Sequence, residues 1–207
     1  MSDKAVILDR DGTLIDVVRD EESGAISVAF HPSQLRLLAG VVDGLAALRD
    51  AGYVLAIATN QPAPAKGQFS ADAVRRTNDA LVALLASEEI TIAKVAVCMH
   101  HPDGGSGGDA SLVGPCDCRK PLPGLVNQLV TELGVDRAAS WMIGDSAGDV
   151  EAGRAAGVRT GLVFASNRCE LCPLRAGVGA LAPRALPDVS GATIAEIAGR
   201  ILSSPRR

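Results

Sequence analysis

Ala5-Val6-Ile7-Leu8-Asp9-Arg10-Asp11-Gly12-Thr13 decides the fold. Four apolar residues in succession, with no alternation and too few for a buried helix, read as a strand of a parallel sheet covered on both faces. The run stops at an acidic turn, where Gly12 lets the chain bend sharply without a Cβ in the way. The same arrangement recurs further along. Tyr53 to Ala58 reads as a second strand, ending at Thr59-Asn60-Gln61, and Lys94 to Val97 as a third. Ser140 to Ile143, ending at Gly144-Asp145, and Val158 to Phe164 read as the fourth and fifth. Between them lie helical patterns. Val41 to Ala51 has Val41, Val42, Leu45 and Leu48 on one face and closes at Gly52. Ser70 caps a helix to about Ser87, with Val74, Leu81, Leu84 and Leu85 inward. Leu122 to Leu133 lies between Pro121 and Gly134, and Ala147 to Ala156 follows the fourth strand. Ile194 to Leu202 is the terminal helix, before a tail from Ser203 to Arg207. Strands alternating with helices predict an α/β fold, with a mostly parallel sheet and helices on both faces. The 207 residues fit one domain.

Composition narrows what the chain does. It is 47% hydrophobic but only 2% aromatic, with a formal charge of -4. Few aromatics and an acidic balance disfavour a base-stacking or broadly basic nucleic-acid surface. No apolar run is long enough to span a bilayer, and Met1-Ser2-Asp3-Lys4 lacks the pattern of a secretory signal. The expectation is a cytoplasmic protein, a monomer, with a small phosphorylated metabolite as partner and neither nucleic acid nor membrane. Five cysteines in a reducing compartment point to metal binding or free thiols before disulfides.

Asp9, Thr59 and Asp145 each follow a strand end, and ligands of open parallel sheets bind outside those ends. Asp9 and Asp11 supply two carboxylates, suited to nucleophile and proton shuttle in phosphoryl transfer. The alternative, an acidic turn capping a helix, loses weight because the pair follows a buried strand. A hydroxyl and amides at Thr59, Asn60 and Gln61 can donate to phosphate oxygens. In Cys118-Arg119-Lys120-Pro121, a lysine beside a helix N-terminus suits a phosphoryl transition state. In Gly144-Asp145-Ser146-Ala147-Gly148-Asp149, carboxylates suit Mg²⁺, which prefers oxygen ligands. Cys98, His100, Cys116 and Cys118 form a Cys₃His set suited to a closed, structural Zn²⁺ site. It brackets the Gly-rich loop from Asp103 to Gly114 and ends two residues before Lys120. Cys169 and Cys172 form a further CxxC, read as incidental thiols.

These four segments, in this order, resemble the haloacid dehalogenase phosphohydrolase superfamily: DxDxT, a Thr or Ser at a strand end, a Lys, then GDxxxD. The resemblance implies a Rossmann-like haloacid dehalogenase domain over 1–207. It implies Asp9 as nucleophile and Asp11 as acid/base, with Thr59 and Lys120 holding phosphate. It also implies Mg²⁺ on Asp9, Asp145 and the Asp11 carbonyl, supported by Asp149. With the cysteine loop at about 98–118, the chain is similar to the D-glycero-D-manno-heptose-1,7-bisphosphate 7-phosphatases and their histidinol-phosphatase relatives. That likeness implies a zinc-stapled loop, no large cap domain, and Arg119 among the substrate contacts. Gly67-Gln68-Phe69-Ser70 resembles the end of that family's substrate loop. The sequence departs from the heptose enzymes at Asp16 to Pro32, at Pro62-Ala63-Pro64-Ala65-Lys66, and at Ser146, where they carry a basic residue. These changes bear on the substrate and not on the chemistry. Competing readings are a phosphoacceptor signalling domain, a polynucleotide 3′-phosphatase, and a zinc-binding module without enzymatic activity.

Overall fold

The computed structural model describes residues 3–19, 21–22, 24–164 and 186–203. Its centre is a six-stranded sheet in which every pairing is parallel. The strands are β1 (Ala5–Leu8), β4 (Val54–Asn60), β5 (Lys94–Cys98), β6 (Trp141–Gly144), β7 (Arg159–Val163) and β8 (Val189–Gly191), in spatial order β5-β4-β1-β6-β7-β8. A two-residue antiparallel pair, β2 (Val18–Arg19) with β3 (Ile26–Ser27), lies between β1 and the first helix.

All four residues of β1 are buried because the strand is central and covered twice. Val6 and Leu8 enter one core layer, with side chains of α1 (Val41–Asp50), α2 (Ala71–Ser87) and α5 (Ile194–Ser203). Ala5 and Ile7 enter the other, against α3 (Gly124–Leu133) and α4 (Ala147–Ala155). An alternating strand faces water on one side; this one has none, so its sequence reads as a continuous apolar run. Leu, Ile and Val dominate the first layer, and Ala with Val and Leu makes up most of the second, as the shortage of aromatics requires.

The helix ends follow the caps. The Ser70 hydroxyl accepts from Ala73 N and starts α2, and Gly134 stops α3 in the left-handed conformation at φ 64°. Three differences from the sequence reading stand out. The strand expected over Tyr53 to Ala58 runs on to Asn60, so Thr59 and Asn60 still pair with β5. The helix expected from Leu122 begins at Gly124, because the ring of Pro123 disfavours the helical conformation at Leu122, whose N instead closes a turn onto Arg119 O at 2.9 Å. The edge strand β8 and the pair β2–β3 were not anticipated: they are two or three residues long and partly or fully exposed, with no period to read. Cys169 and Cys172 lie outside the described residues. Among the described residues, no helix is long and apolar enough to cross a membrane.

Candidate active site

β4, β1 and β6 are adjacent, so the polar groups at their carboxyl ends meet in one place. Asp9 N donates to Ile143 O at 2.8 Å, which continues the β1–β6 pairing one residue past the strand. A cleft of about 240 Å³ opens there, lined by Asp9, Asp11, Val28, Thr59, Asn60, Lys120, Asp145, Ser146, Gly148 and Asp149.

Lys120 is the cation of this cleft. Its Nζ lies 2.7 Å from Asp9 Oδ1, 2.6 Å from Asp149 Oδ1 and 2.8 Å from Ala58 O. Asp9 Oδ1 and Ala58 O accept hydrogen bonds from the ammonium, and Asp149 Oδ1 meets it as an ion pair. Asn60 fixes the backbone behind it: its Nδ2 donates to Lys120 O at 2.9 Å, and its Oδ1 accepts from Lys120 N at 3.1 Å. Asn60, expected as a phosphate contact, therefore has both ends of its amide committed to the lysine's own peptide.

Burial pushes Asp9 up to about 6; Lys120 opposes the rise and the neighbouring carboxylates of Asp149 and Asp11 add to it. Burial, then the charges of Asp9 and Asp149, push Asp145 up to about 8. Burial works against the Lys120 charge, but Asp149 and Asp9 outweigh it and hold the ammonium above its ordinary range. Asp9, Asp145 and Asp149 place one carboxylate oxygen each within 4.8 Å of one another. This all-oxygen donor set, with one ammonium among three acids, suits a hard divalent cation. Two glycines make the approach possible. A Cβ on Gly12 (φ 83°) would lie 2.3 Å from Asp145 Oδ2, and one on Gly144 would lie 2.2 Å from Asp149 Cγ. Asp149 is fixed further by Ser146, whose N and Oγ donate to its Oδ2 at 3.1 and 2.5 Å.

Asp11 also lines the cleft and is held by a separate set of groups. Gln61 Nε2 donates to Asp11 Oδ2 at 2.7 Å and to Thr59 Oγ1 at 2.9 Å. Gln61, too, is turned toward a protein carboxylate, while Thr59 lies on the cleft wall. Sequence reasoning passed over Arg10. It is fully buried, and its Nε and Nη2 donate to the two Asp11 oxygens at 2.9 and 3.1 Å. Asn78 of α2 and Ala29 O accept its remaining bonds. The 24–31 segment thus contributes to the site. Beyond it, Phe30 stacks on Phe69 of the loop before α2, with ring centroids 3.8 Å apart.

The four residues of the Cys₃His set come together. Cys98 Sγ is 3.8 Å from Cys116 Sγ, 2.9 Å from Cys118 Sγ and 3.9 Å from His100 Nδ1; Cys118 Sγ is 3.4 Å from the same nitrogen. The closest sulfur pair is too far apart for a disulfide, whose bond is ~2.05 Å. Zinc bound tetrahedrally at ~2.3 Å by thiolates sets donors ~3.8 Å apart, close to most of these separations. His101 does something else: its Nδ1 accepts from Asp103 N and Gly104 N and shapes the start of the loop. Arg119 points its Nη1 at His100 O, 3.5 Å away, beside this cluster and off the cleft wall.

Residues 117–169 match the HAD-hydrolase-like family model. The D-glycero-beta-D-manno-heptose-1,7-bisphosphate 7-phosphatase of Yersinia pestis is 32% identical over 164 residues, 79% of this chain and 81% of its own. The enzyme of the same name from Pseudomonas aeruginosa is 34% identical over 156 residues, 75% of this chain and 78% of its own. Among solved structures, a D,D-heptose 1,7-bisphosphate phosphatase from B. bronchiseptica, complexed with magnesium and phosphate, superposes with a TM-score of 0.72. It is 27% identical, and the match covers 96% of this chain and 98% of that one.

Proposed function

The chain belongs to the haloacid dehalogenase-like phosphatase family, among the heptose-1,7-bisphosphate 7-phosphatases, and from that membership we propose that it hydrolyses a sugar phosphomonoester through an aspartyl phosphate on Asp9. Heptose 1,7-bisphosphate, which names its relatives, is the first substrate proposed, with loss of the 7-phosphate. The observation that carries the reading is one cleft lined by Asp9, Asp11, Lys120, Asp145 and Asp149, with the Lys120 ammonium paired to Asp9 and Asp149.

An Asp9 carboxylate oxygen attacks phosphorus, and the bond from phosphorus to the ester oxygen breaks. Asp11 gives that oxygen its proton as the sugar leaves. In the second half Asp11 takes a proton from water, whose oxygen attacks the aspartyl phosphate. Inorganic phosphate leaves and Asp9 is restored. Lys120, held above its ordinary range, keeps a full positive charge beside Asp9 throughout. Thr59 presents its hydroxyl to a phosphoryl oxygen. Mg²⁺, held by Asp9, Asp145 and the Asp11 carbonyl with Asp149 in support, would act there as a Lewis acid on phosphoryl charge. Zn²⁺ on Cys98, His100, Cys116 and Cys118 would tie the loop that delivers Lys120 to the end of β5.

The test is phosphate release from a panel that includes both anomers of heptose 1,7-bisphosphate, histidinol phosphate and several sugar monophosphates. The proposal expects the highest kcat/KM on a heptose bisphosphate. A histidinol phosphate preference would move the substrate assignment, and inactivity on every ester would remove it.

A further inference from the structure

We infer that Arg10 is a positioning residue that holds the Asp11 carboxylate in its proton-transfer geometry; the inference rests on the reading of Asp11 as proton shuttle. Arginine is almost never fully buried unless paired, and Arg10 has no exposed surface. Neighbouring side chains ordinarily diverge. Here the turn after β1 doubles back, with Leu14 N and Ile15 N both donating to Arg10 O at 2.9 and 3.0 Å. That bend lets the guanidinium lie along the carboxylate of the next residue.

The contact is a fork, with Nε on Asp11 Oδ2 and Nη2 on Oδ1. A planar fork fixes the carboxylate plane as well as its distance, which an ammonium cannot do. The guanidinium is itself anchored at two points remote in sequence: Nη1 donates to Asn78 Oδ1 at 2.7 Å, and Nη2 to Ala29 O at 2.8 Å. Asp11 takes two further bonds, from Gln61 Nε2 at 2.7 Å and Ala29 N at 3.3 Å. Its carboxylate is thereby referenced to α2, to the end of β4 and to the 24–31 segment. Val28, the residue before Ala29, lines the cleft. A substrate resting on Val28 is one residue from the bonds that orient the acid. Proton transfer needs the acid within hydrogen-bond reach of the leaving oxygen, and a displacement of ~1 Å costs ~10² in rate.

The test compares kcat/KM on two esters, which reports the steps up to release of the alcohol. p-Nitrophenyl phosphate has a leaving group that departs without a proton; an alkyl phosphate such as a sugar monophosphate needs one. Arg10→Lys keeps the charge and loses the fork. It should lower kcat/KM on the alkyl ester by roughly 10–10², and on p-nitrophenyl phosphate by about threefold or less. Equal losses on both esters, or none, would overturn the inference, since a merely structural role lowers both alike. If Arg10→Lys fails to fold by circular dichroism, Asn78→Ser decides: it removes the Nη1 anchor and should skew the two esters in the same direction. An unskewed Asn78→Ser would then overturn it. Asp11→Asn, measured in parallel, separates the two claims. Without a skew there, the proton-shuttle reading fails; with a skew there and none in Arg10→Lys, the positioning role alone fails.

Discussion

Replacing Lys120 by methionine keeps most of the side-chain volume and removes the only ammonium that the described residues bring to the cleft. The lysine side chain is 4% exposed, and its partners Asp9 and Asp149 are 13% and 2% exposed, so solvent cannot take over its role. Breaking a buried ion pair by removing one partner costs ~3–5 kcal/mol. Asp9, already pushed up to about 6, limits the loss by taking a proton more readily, while Asp149 stays buried and fixed by Ser146. In a domain of this size the expected cost corresponds to a Tm lower by roughly 6–20 °C. A protonated Asp9 is also a poor nucleophile, and a phosphoryl transition state without its ammonium loses ~10²–10³ in kcat. Thermal unfolding and phosphate release on the same preparation read both effects. Added Mg²⁺ should return part of the lost Tm, because a divalent cation offsets the same carboxylates, without restoring kcat. Activity within tenfold of wild type together with an unchanged Tm would refute this account of Lys120.

Asp145→Ala should lose turnover, with partial rescue at high Mg²⁺ at best, and EDTA should inactivate the wild type until Mg²⁺ is returned; full activity after exhaustive chelation would end the metal assignment. In metal-free protein, Asp9 at about 6 and Asp145 at about 8 retain protons that unfolded aspartates near 3.8 have lost. The folded state therefore binds more protons, and its stability falls as pH rises from about 4 to about 8. A Tm in EDTA that rises over that interval would show the sign to be wrong. Purified protein should carry one Zn²⁺ per chain, and Cys116→Ser should weaken zinc retention and lower both activity and Tm, though Cys116 does no chemistry. Zinc that persists after Cys116 and Cys118 are both replaced would show that other residues hold it.

The parts of the fold that were legible in sequence are those where one physical requirement dominates. β1 had to be apolar throughout because both its faces are covered, and the acids beyond it line the cleft that opens at the carboxyl ends of the strands. Ser70 and Gly134 announced helix ends because few residues suit those positions. The Cys₃His set was legible because thiols and imidazoles at such spacing have few other uses. Amide direction was not legible. Asn60 and Gln61 at a strand end could equally have faced phosphate, and only the coordinates turn one onto the Lys120 peptide and the other onto Asp11. Arg10 was hidden for a different reason: an arginine between two aspartates reads as a solvated charge, and its role depends on burial beneath Ala29 and α2. β8 is only three residues long, and of Val189-Ser190-Gly191 only Val189 favours a strand, too short a run to show a pattern.

The measurement closest to the central claim is a rapid mix of Asp11→Asn protein with p-nitrophenyl phosphate and Mg²⁺, quenched in acid. This leaving group departs without a proton, so Asp9 is phosphorylated, while the missing base leaves the aspartyl phosphate slow to hydrolyse. The account predicts a burst of p-nitrophenol of about one per active site, with the phosphoryl group mapped to Asp9. No burst and no phosphoryl group on Asp9, or an Asp9→Asn protein that turns over within tenfold of wild type, would contradict it.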